Sequence, residues 1–147
     1  ENFNINALIT VKKITTDEEL KIAFAIRQRV FVEEQEVDAR EEYDEFESSS
    51  THFLAFLSDK PVGTARWRFY GEKIKLERFA VLIDARGKNV GTHLVNAVKN
   101  DLPQSENEVF LHAQLTAMPL YAKTGFEKNG PQFEEAGIQH FKMTLNR

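Results

Sequence analysis

The sequence predicts an α/β fold of the α+β kind, with six to seven strands and about four helices. Three observations carry that expectation. From residue 51 to 82, three β-rich runs follow one another across short polar turns. Two other stretches place apolar residues at helical spacing behind recognisable starts. A glycine-bearing turn then joins the last of the three runs to the second helical stretch.

Leu8-Ile9-Thr10-Val11 is β-branched enough for a first strand. In "ITTDEEL", Thr16 followed by Glu19 has the spacing of a capping box, in which hydroxyl and carboxylate satisfy each other's backbone N–H. A helix starts there, and Leu20, Ala23, Phe24, Arg27, Val30 and Phe31 give it one buried face to about Phe31. The segment "EEQEVDAREEYDEFE", Glu33 to Glu47, is dense in carboxylates, with Val37, Tyr43 and Phe46 as sparse apolar anchors. It reads as a short acidic helix or a lid-like loop, its charge either a solvated face or an attractor for a cationic amine.

After "SSS", the runs "HFLAFL", "VGTARWRFY" and "IKLERFAVL" predict three strands, most simply an antiparallel meander. Val90, Leu94, Val95 and Val98 then mark a helix that Pro103 stops. "EVFLHA" is a fifth strand, and "TAMPLYAKTGF" a short helix with Pro119 in its first turn and Gly125 as the left-handed residue past its end. The tail "FEKNGPQF…HFKMTL" offers two more strands around a turn.

At 147 residues and 41% hydrophobic content, the chain suits one domain spanning residues 1–147. A net charge of -4 gives no basic footprint, so nucleic acid and anionic membrane are not expected as partners. No apolar run nears the ~20 residues that span a bilayer, and "ENFNINALIT" lacks the basic-then-apolar layout of a signal peptide. A cytoplasmic protein is the expectation. The absence of cysteine excludes disulfides, thiolate metal sites and cysteine nucleophiles. The four histidines, at 52, 93, 112 and 140, form no H-E-x-x-H or similar cluster, and no catalytic metal is expected.

The turn "RGKNVGTH", Arg86 to His93, follows a strand and opens a helix. Such a turn presents unpaired backbone N–H groups at the positive end of a helix dipole, and is either an anion site or a plain strand-to-helix connection. A nucleotide-triphosphatase loop would need Lys before the Thr at its end, and Gly91-Thr92 has none there. No G-x-G-x-x-G occurs, and no parallel βαβ unit is expected to follow, so the dinucleotide fingerprint fails as well.

"LERFAVLIDARGKNVGTHLVNAV", with "PLYAKTGF" some thirty residues later, resembles the Gcn5-related N-acetyltransferase (GNAT) family. The likeness covers roughly Thr51 to Arg147. With "IRQRVFVEEQEV", "VGTARWR" and "EEAGIQHFKM" it extends over nearly the whole chain towards the ElaA/YjcF-like bacterial acetyltransferases. The resemblance implies a mixed, mostly antiparallel sheet whose strands 4 and 5 splay apart. In the family a Q/R-x-x-G-x-G/A loop after the fourth strand binds the pyrophosphate of acetyl-CoA. Arg86 fills its first position here, Asn89 replaces its first glycine and Gly91 fills its last. If position 89 needs positive φ, Asn is the best-tolerated substitute.

By the same likeness, Phe79, Ala80 and Val81 offer backbone to the pantetheine arm, and Arg86, Gly87, Lys88, Asn89, Val90, Gly91 and Thr92 hold the pyrophosphate, with Gln114 near cofactor and acceptor. Tyr121 matches the tyrosine that donates to the leaving sulfur; an ordinary phenol, pKa near ~10, keeps its proton at neutral pH. Its alternative is a core aromatic. Two candidates stand for the general base. Glu77 either accepts a proton, directly or through water, or pairs with Arg66, Arg68 or Arg78. His140 matches a tail histidine and serves in proton transfer, in substrate contact or in a structural hydrogen bond. His112 packs or caps its strand, and Arg29, Arg66 and Glu34 either line the acceptor cleft or sit on the surface.

The implied activity is acetyl-CoA-dependent transfer of acetyl to the primary amine of a small molecule, an amino sugar or polyamine among the options. Direct attack on the thioester needs no covalent enzyme intermediate, which suits a chain without cysteine. A non-catalytic acyl-CoA-binding module is the alternative from another class. Arg29-Val30-Phe31 and the acidic stretch give a fainter likeness to acyl-homoserine-lactone synthases. Edge strands of this fold leave a homodimer open.

Overall fold

Strand alternation and helix caps place the elements close to where the sequence puts them. The computed structural model describes residues 8–147; residues 1–7, most of the segment read above for a leader, lie outside the described residues. The strands are β1 (Ile9–Lys13), β2 (Thr51–Leu57), β3 (Lys60–Tyr70), β4 (Lys73–Val81), β5 (Val109–Gln114), β6 (Phe126–Lys128), β7 (Phe133–Glu135) and β8 (Ile138–Leu145). The helices are α1 (Asp17–Arg27), α2 (Ala39–Glu42), α3 (Val90–Asp101) and α4 (Met118–Lys123). One eight-stranded sheet runs β1-β2-β3-β4-β5-β8-β6, with β7 also on β8.

The tail forms three strands rather than two. Ala136 and Gly137, at φ 53° and 76°, make the two-residue turn that pairs Glu135 with Ile138, while Gly130 at φ 119° breaks β6 from β7. The meander β2-β3-β4 is antiparallel as expected. The expectation that no parallel βαβ unit follows the glycine turn is corrected: β4, α3 and β5 form one, because a helix lying across the sheet returns the chain to the end where β4 began. The parallel pairing is short, joining only Ile74–Leu76 to Val109–Leu111.

Helix α1 carries the capping box, with Thr16 Oγ1 accepting from Glu19 N–H at 3.1 Å and Glu19 Oε1 from Thr16 N–H at 3.2 Å. It ends at Arg27, and the predicted continuation to Phe31 is a π-helical turn over Gln28–Glu34, with Gln35 N–H bonding Val30 O five residues back. The wider turn keeps Val30 and Phe31 buried with Ala23 and Ile26 on one face of the sheet, against Leu54 and Ala80. On the other face α3 buries Val90, Leu94, Val95 and Val98, each contributing about 1.5–3 kcal/mol of apolar burial. Its approach requires Gly63, since a Cβ there would stand 3.0 Å from Leu94 Cδ1 and 3.1 Å from the Ala80 carbonyl oxygen. Trp67 Nε1 donates to Asp101 at 3.0 Å and ties the far end of α3 to β3.

Candidate active site

Beyond Leu76, β4 has no partner on its β5 side, and the two strands splay. Arg78 marks the departure: it sits at φ 60° inside the strand, where the β3–β4 register shifts between Thr64 and Arg66. That bulge bends β4 away. Leu82 N–H bonds the Val62 carbonyl at 2.8 Å, so strand alternation turns the backbone groups of Val81 away from β3 and toward the gap. A cleft of about 830 Å³ follows the gap from the end of the π-helical turn to the β7–β8 hairpin.

The glycine turn closes one end of this cleft. Asn89 is left-handed, at φ 70° and ψ 14°, and precedes α3 with no side-chain cap on the first turn. The first N–H groups of α3 therefore lack the acceptor that a Ser or Asp cap would bring. The carbonyl of Asn89 accepts from His93 twice, from N–H at 3.1 Å and from Nδ1 at 2.8 Å, which fixes the turn. Gly91 is favoured by packing rather than by φ: a Cβ would come within 3.1 Å of Leu120 Cδ2 on α4, which would have to shift by a few tenths of an ångström. Arg86 Nε donates to the Val81 carbonyl at 2.9 Å while its two outer nitrogens grip Glu34 at 2.6 and 2.7 Å. Of the two places open to Glu34, the acceptor cleft and the surface, the structure takes the second, pairing it with this exposed loop arginine. Among the predicted loop residues, Lys88 does not border the cleft; its ammonium reaches back to the Asp84 carbonyl at 3.2 Å.

Tyr121, on α4, lines the cleft with its ring edge-on to Phe79 at 5.7 Å and Phe126 at 6.0 Å. Burial pushes its phenol above the ordinary value, so it holds its proton more firmly. Gln114 ends β5 and donates to Gln35 across the cleft at 2.9 Å.

Gln114 and His140 are cross-strand partners, so they share the cleft-facing side. His140 Nδ1 lies 2.7 Å from the Ile138 carbonyl oxygen, and its ring stacks on Phe133 at 5.7 Å. His112 Nδ1 meets Glu135 Oε2 at 3.2 Å, and the ring stands edge-on to Phe133 at 4.8 Å. The hydrogen bond from His112 lowers the Glu135 carboxyl against its burial. Glu135 escaped the reading of the sequence, although "EEAGIQHFKM" contains it; nothing in a run of charged hairpin residues singles out the exposed one that borders the cleft.

Glu77 is held by the ion pairs that its alternative reading named. Oε1 accepts from Arg66 at 2.8 Å and from Arg68 Nε at 2.8 Å, and Lys75 lies 3.2 Å from Oε2. Burial would raise its carboxyl, but Arg66, Lys75, Arg68 and Arg78 outweigh that and bring it to about 2. A carboxylate held so low is a poor proton acceptor at neutral pH. Arg66 itself is fully buried, also gripping Asp44 at 2.7 Å and Glu47 at 2.8 Å, and Arg29 is exposed outside the cleft. Neither lines the acceptor cleft. Arg27, buried on α1, binds Glu42 at 2.8 Å and Glu47 at 2.7 Å between the rings of Phe24 and Tyr43. The acidic stretch holds the short helix expected of it, α2, and divides in two: Glu42, Asp44 and Glu47 are strapped to Arg27, Arg66 and Arg78, while Glu33, Glu36, Asp38, Glu41 and Glu45 stay on the solvated face. Among the described residues no group of three His, Asp or Glu side chains is placed to hold a metal ion, and no helix is long and apolar enough to cross a membrane.

The sequence matches the acetyltransferase (GNAT) domain family over residues 12–147. It is 40% identical over 129 residues to an uncharacterized N-acetyltransferase, YjcF, of Bacillus subtilis, covering 86% of this chain and 92% of that protein. The fold is similar to that of Escherichia coli ElaA, with a TM-score of 0.81 at 24% identity over 95% of this chain and all of that one (100%). A GNAT family acetyltransferase from Elizabethkingia anophelis, solved with acetyl-CoA bound, shares the fold at a TM-score of 0.66 and 16% identity, with 93% and 95% of the two chains covered.

Proposed function

Because the chain belongs to the GNAT acetyltransferase family, whose members are acyl-CoA-dependent N-acyltransferases, we propose that it transfers acetyl from acetyl-CoA to the primary amine of a small molecule. Amino sugars and polyamines are the acceptor classes in view. The observation that carries the cofactor site is left-handed Asn89 at the head of an uncapped α3, at the end of the splayed β4. The residues present fit a pyrophosphate there: N–H groups at a helix start with no side-chain cap. Phe79 to Val81 offer an unpaired strand edge to the pantetheine arm, with Gln114 across the gap. Bound acetyl-CoA would supply the acetyl group as an activated thioester.

The chain's own residues then manage two protons. His140 Nδ1 donates to the Ile138 carbonyl, so Nε2 presents its lone pair to the cleft and takes the proton of the attacking amine. Tyr121 gives the hydroxyl proton to the sulfur as the carbon–sulfur bond breaks, and the second N–H proton, released as the carbon–nitrogen bond forms the amide, restores the phenol. Glu77 is assigned to holding Arg66 and Arg68 rather than to proton transfer. The proposal covers one domain over residues 1–147, working in the cytoplasm, with the outer edge of β1 available for a homodimer.

A spectrophotometric screen for free CoA, run with acetyl-CoA and a broad set of amines, tests the reading. Acceptor-dependent release is the expected result. Tight CoA binding with no release from any amine would favour a non-catalytic acyl-CoA module instead.

A further inference from the structure

We propose that Glu135 is the recognition group for the acceptor's ammonium, docked between its Oε1 and Nε2 of His140, so that the acceptor is a primary amine that arrives protonated. This rests on the acetyl transfer just described and names the chemistry of its second substrate.

A carbonyl oxygen can only accept, so the 2.7 Å contact with Ile138 places a proton on His140 Nδ1, and in the neutral ring that leaves Nε2 an acceptor. Glu135 Oε1 faces it at 3.9 Å, too far for a direct hydrogen bond. Two acceptors facing each other in a cleft converge on a donor. An ammonium set about 2 Å to the side of the line joining them reaches each at about 2.9 Å, with its third N–H to spare. The Glu135 side chain is half exposed at the cleft rim, where His112 Nδ1 donates to its other oxygen at 3.2 Å and Phe133 packs against both imidazoles, stacking on that of His140 and edge-on to that of His112.

The other charged group that bears on Glu135 is Lys75 of β4, whose ammonium is paired with Glu77 Oε2 at 3.2 Å and so competes weakly for the carboxylate. Pairing of His140 with Gln114 sets this point at the end of β5, where the splay opens toward the cofactor side. An alkylammonium is therefore oriented by the group that anchors it and deprotonated by the imidazole beside it. A weakly basic arylamine, neutral at pH 7, offers no charge for Glu135 to hold.

The test compares wild type with Glu135→Gln, which keeps the shape and removes the charge. With n-butylamine and the best acceptor from the amine screen, KM for the amine should rise about tenfold or more, as expected for one lost charged hydrogen-bond partner. KM for acetyl-CoA should stay unchanged, which also reports an intact fold. An unchanged amine KM in the variant, or a wild-type preference for aniline over n-butylamine, overturns the proposal while leaving acetyl transfer standing. Nuclear magnetic resonance of the His140 imidazole in the CoA-loaded protein decides the matter without turnover. Titrated n-butylamine should shift that signal in wild type and not in Glu135→Gln. No shift in wild type sinks ammonium docking, whereas a shift with no CoA release sinks the catalytic reading alone.

Discussion

Replacing Asn89 by Val and by Gly separates the backbone's part in the cofactor site from the side chain's. Asn89 holds φ 70°, and its side chain makes no capping bond. A left-handed backbone costs an L-residue about 1–2 kcal/mol, least for Asn and more when the side chain is β-branched. Val therefore adds about 1–2 kcal/mol of strain, which can be met in two ways. If the turn keeps its shape, the fold carries the strain and Tm falls by about 2–8 °C, at 2–4 °C per kcal/mol for a chain of this size. If φ swings negative, the Asn89 carbonyl leaves its two His93 contacts, the first turn of α3 is re-aimed, and CoA affinity drops about 5- to 30-fold. Gly adopts the left-handed geometry freely and should bind CoA within about threefold of wild type. Titration calorimetry with CoA and thermal unfolding of the three proteins measure both quantities. Unchanged Kd and Tm for Asn89→Val would refute the role of positive φ. A large loss for Asn89→Gly would show that the carboxamide itself is the contact.

Three further outcomes follow from the geometry. Tyr121→Phe should keep CoA affinity and lower kcat by tenfold or more with a cognate amine, since it removes only the hydroxyl from a ring packed between Phe79 and Phe126; unchanged kcat would remove the acid from the mechanism. Glu34→Gln should tighten CoA binding a few-fold at low salt, because it takes a carboxylate from the mouth of the anion site and releases the Arg86 guanidinium; equal or weaker binding counts against Arg86 and the α3 start as the pyrophosphate site. Stability should fall with acid: Asp44 and Glu77, held near about 2 when folded, contribute stabilisation that is complete above the unfolded carboxylate range and is lost as pH drops toward 2. Glu42, raised by burial, opposes the trend in part. A urea midpoint that does not move between pH 5 and pH 2.5 would contradict that assignment.

The fold was legible wherever one local rule decided the outcome. The capping box at Thr16, Pro119 in the first turn of α4, and the alternation of Phe53, Leu54 and Ala55 between the two faces of the sheet each need no distant partner. Two features were not local. The break between β6 and β7 depends on which residues find a place along β8, and the parallel β4–β5 pairing depends on where α3 returns the chain. Composition described only part of the acidic stretch. Charge density suggests solvent, and Glu33, Glu36, Asp38, Glu41 and Glu45 are exposed, yet Glu42, Asp44 and Glu47 find Arg27, Arg66 and Arg78, residues drawn from α1, β3 and β4.

The two halves of the candidate site differ in legibility for a physical reason. The cofactor end is made of contiguous backbone: a strand edge, a left-handed residue and a helix start can all be read from the fourteen consecutive positions Phe79 to Thr92, and Asn at position 89 suits a left-handed backbone. The acceptor end is assembled from three strands that meet only in the folded sheet, with Gln114, His140 and Glu135 brought together by cross-strand register. A one-residue slip in the β7–β8 hairpin would turn Glu135 to the opposite face and leave His140 without its facing carboxylate. On the proposed reading the Ala136–Gly137 turn shapes the acceptor end along with the side chains, because it sets that Glu135 rather than Glu134 borders the cleft.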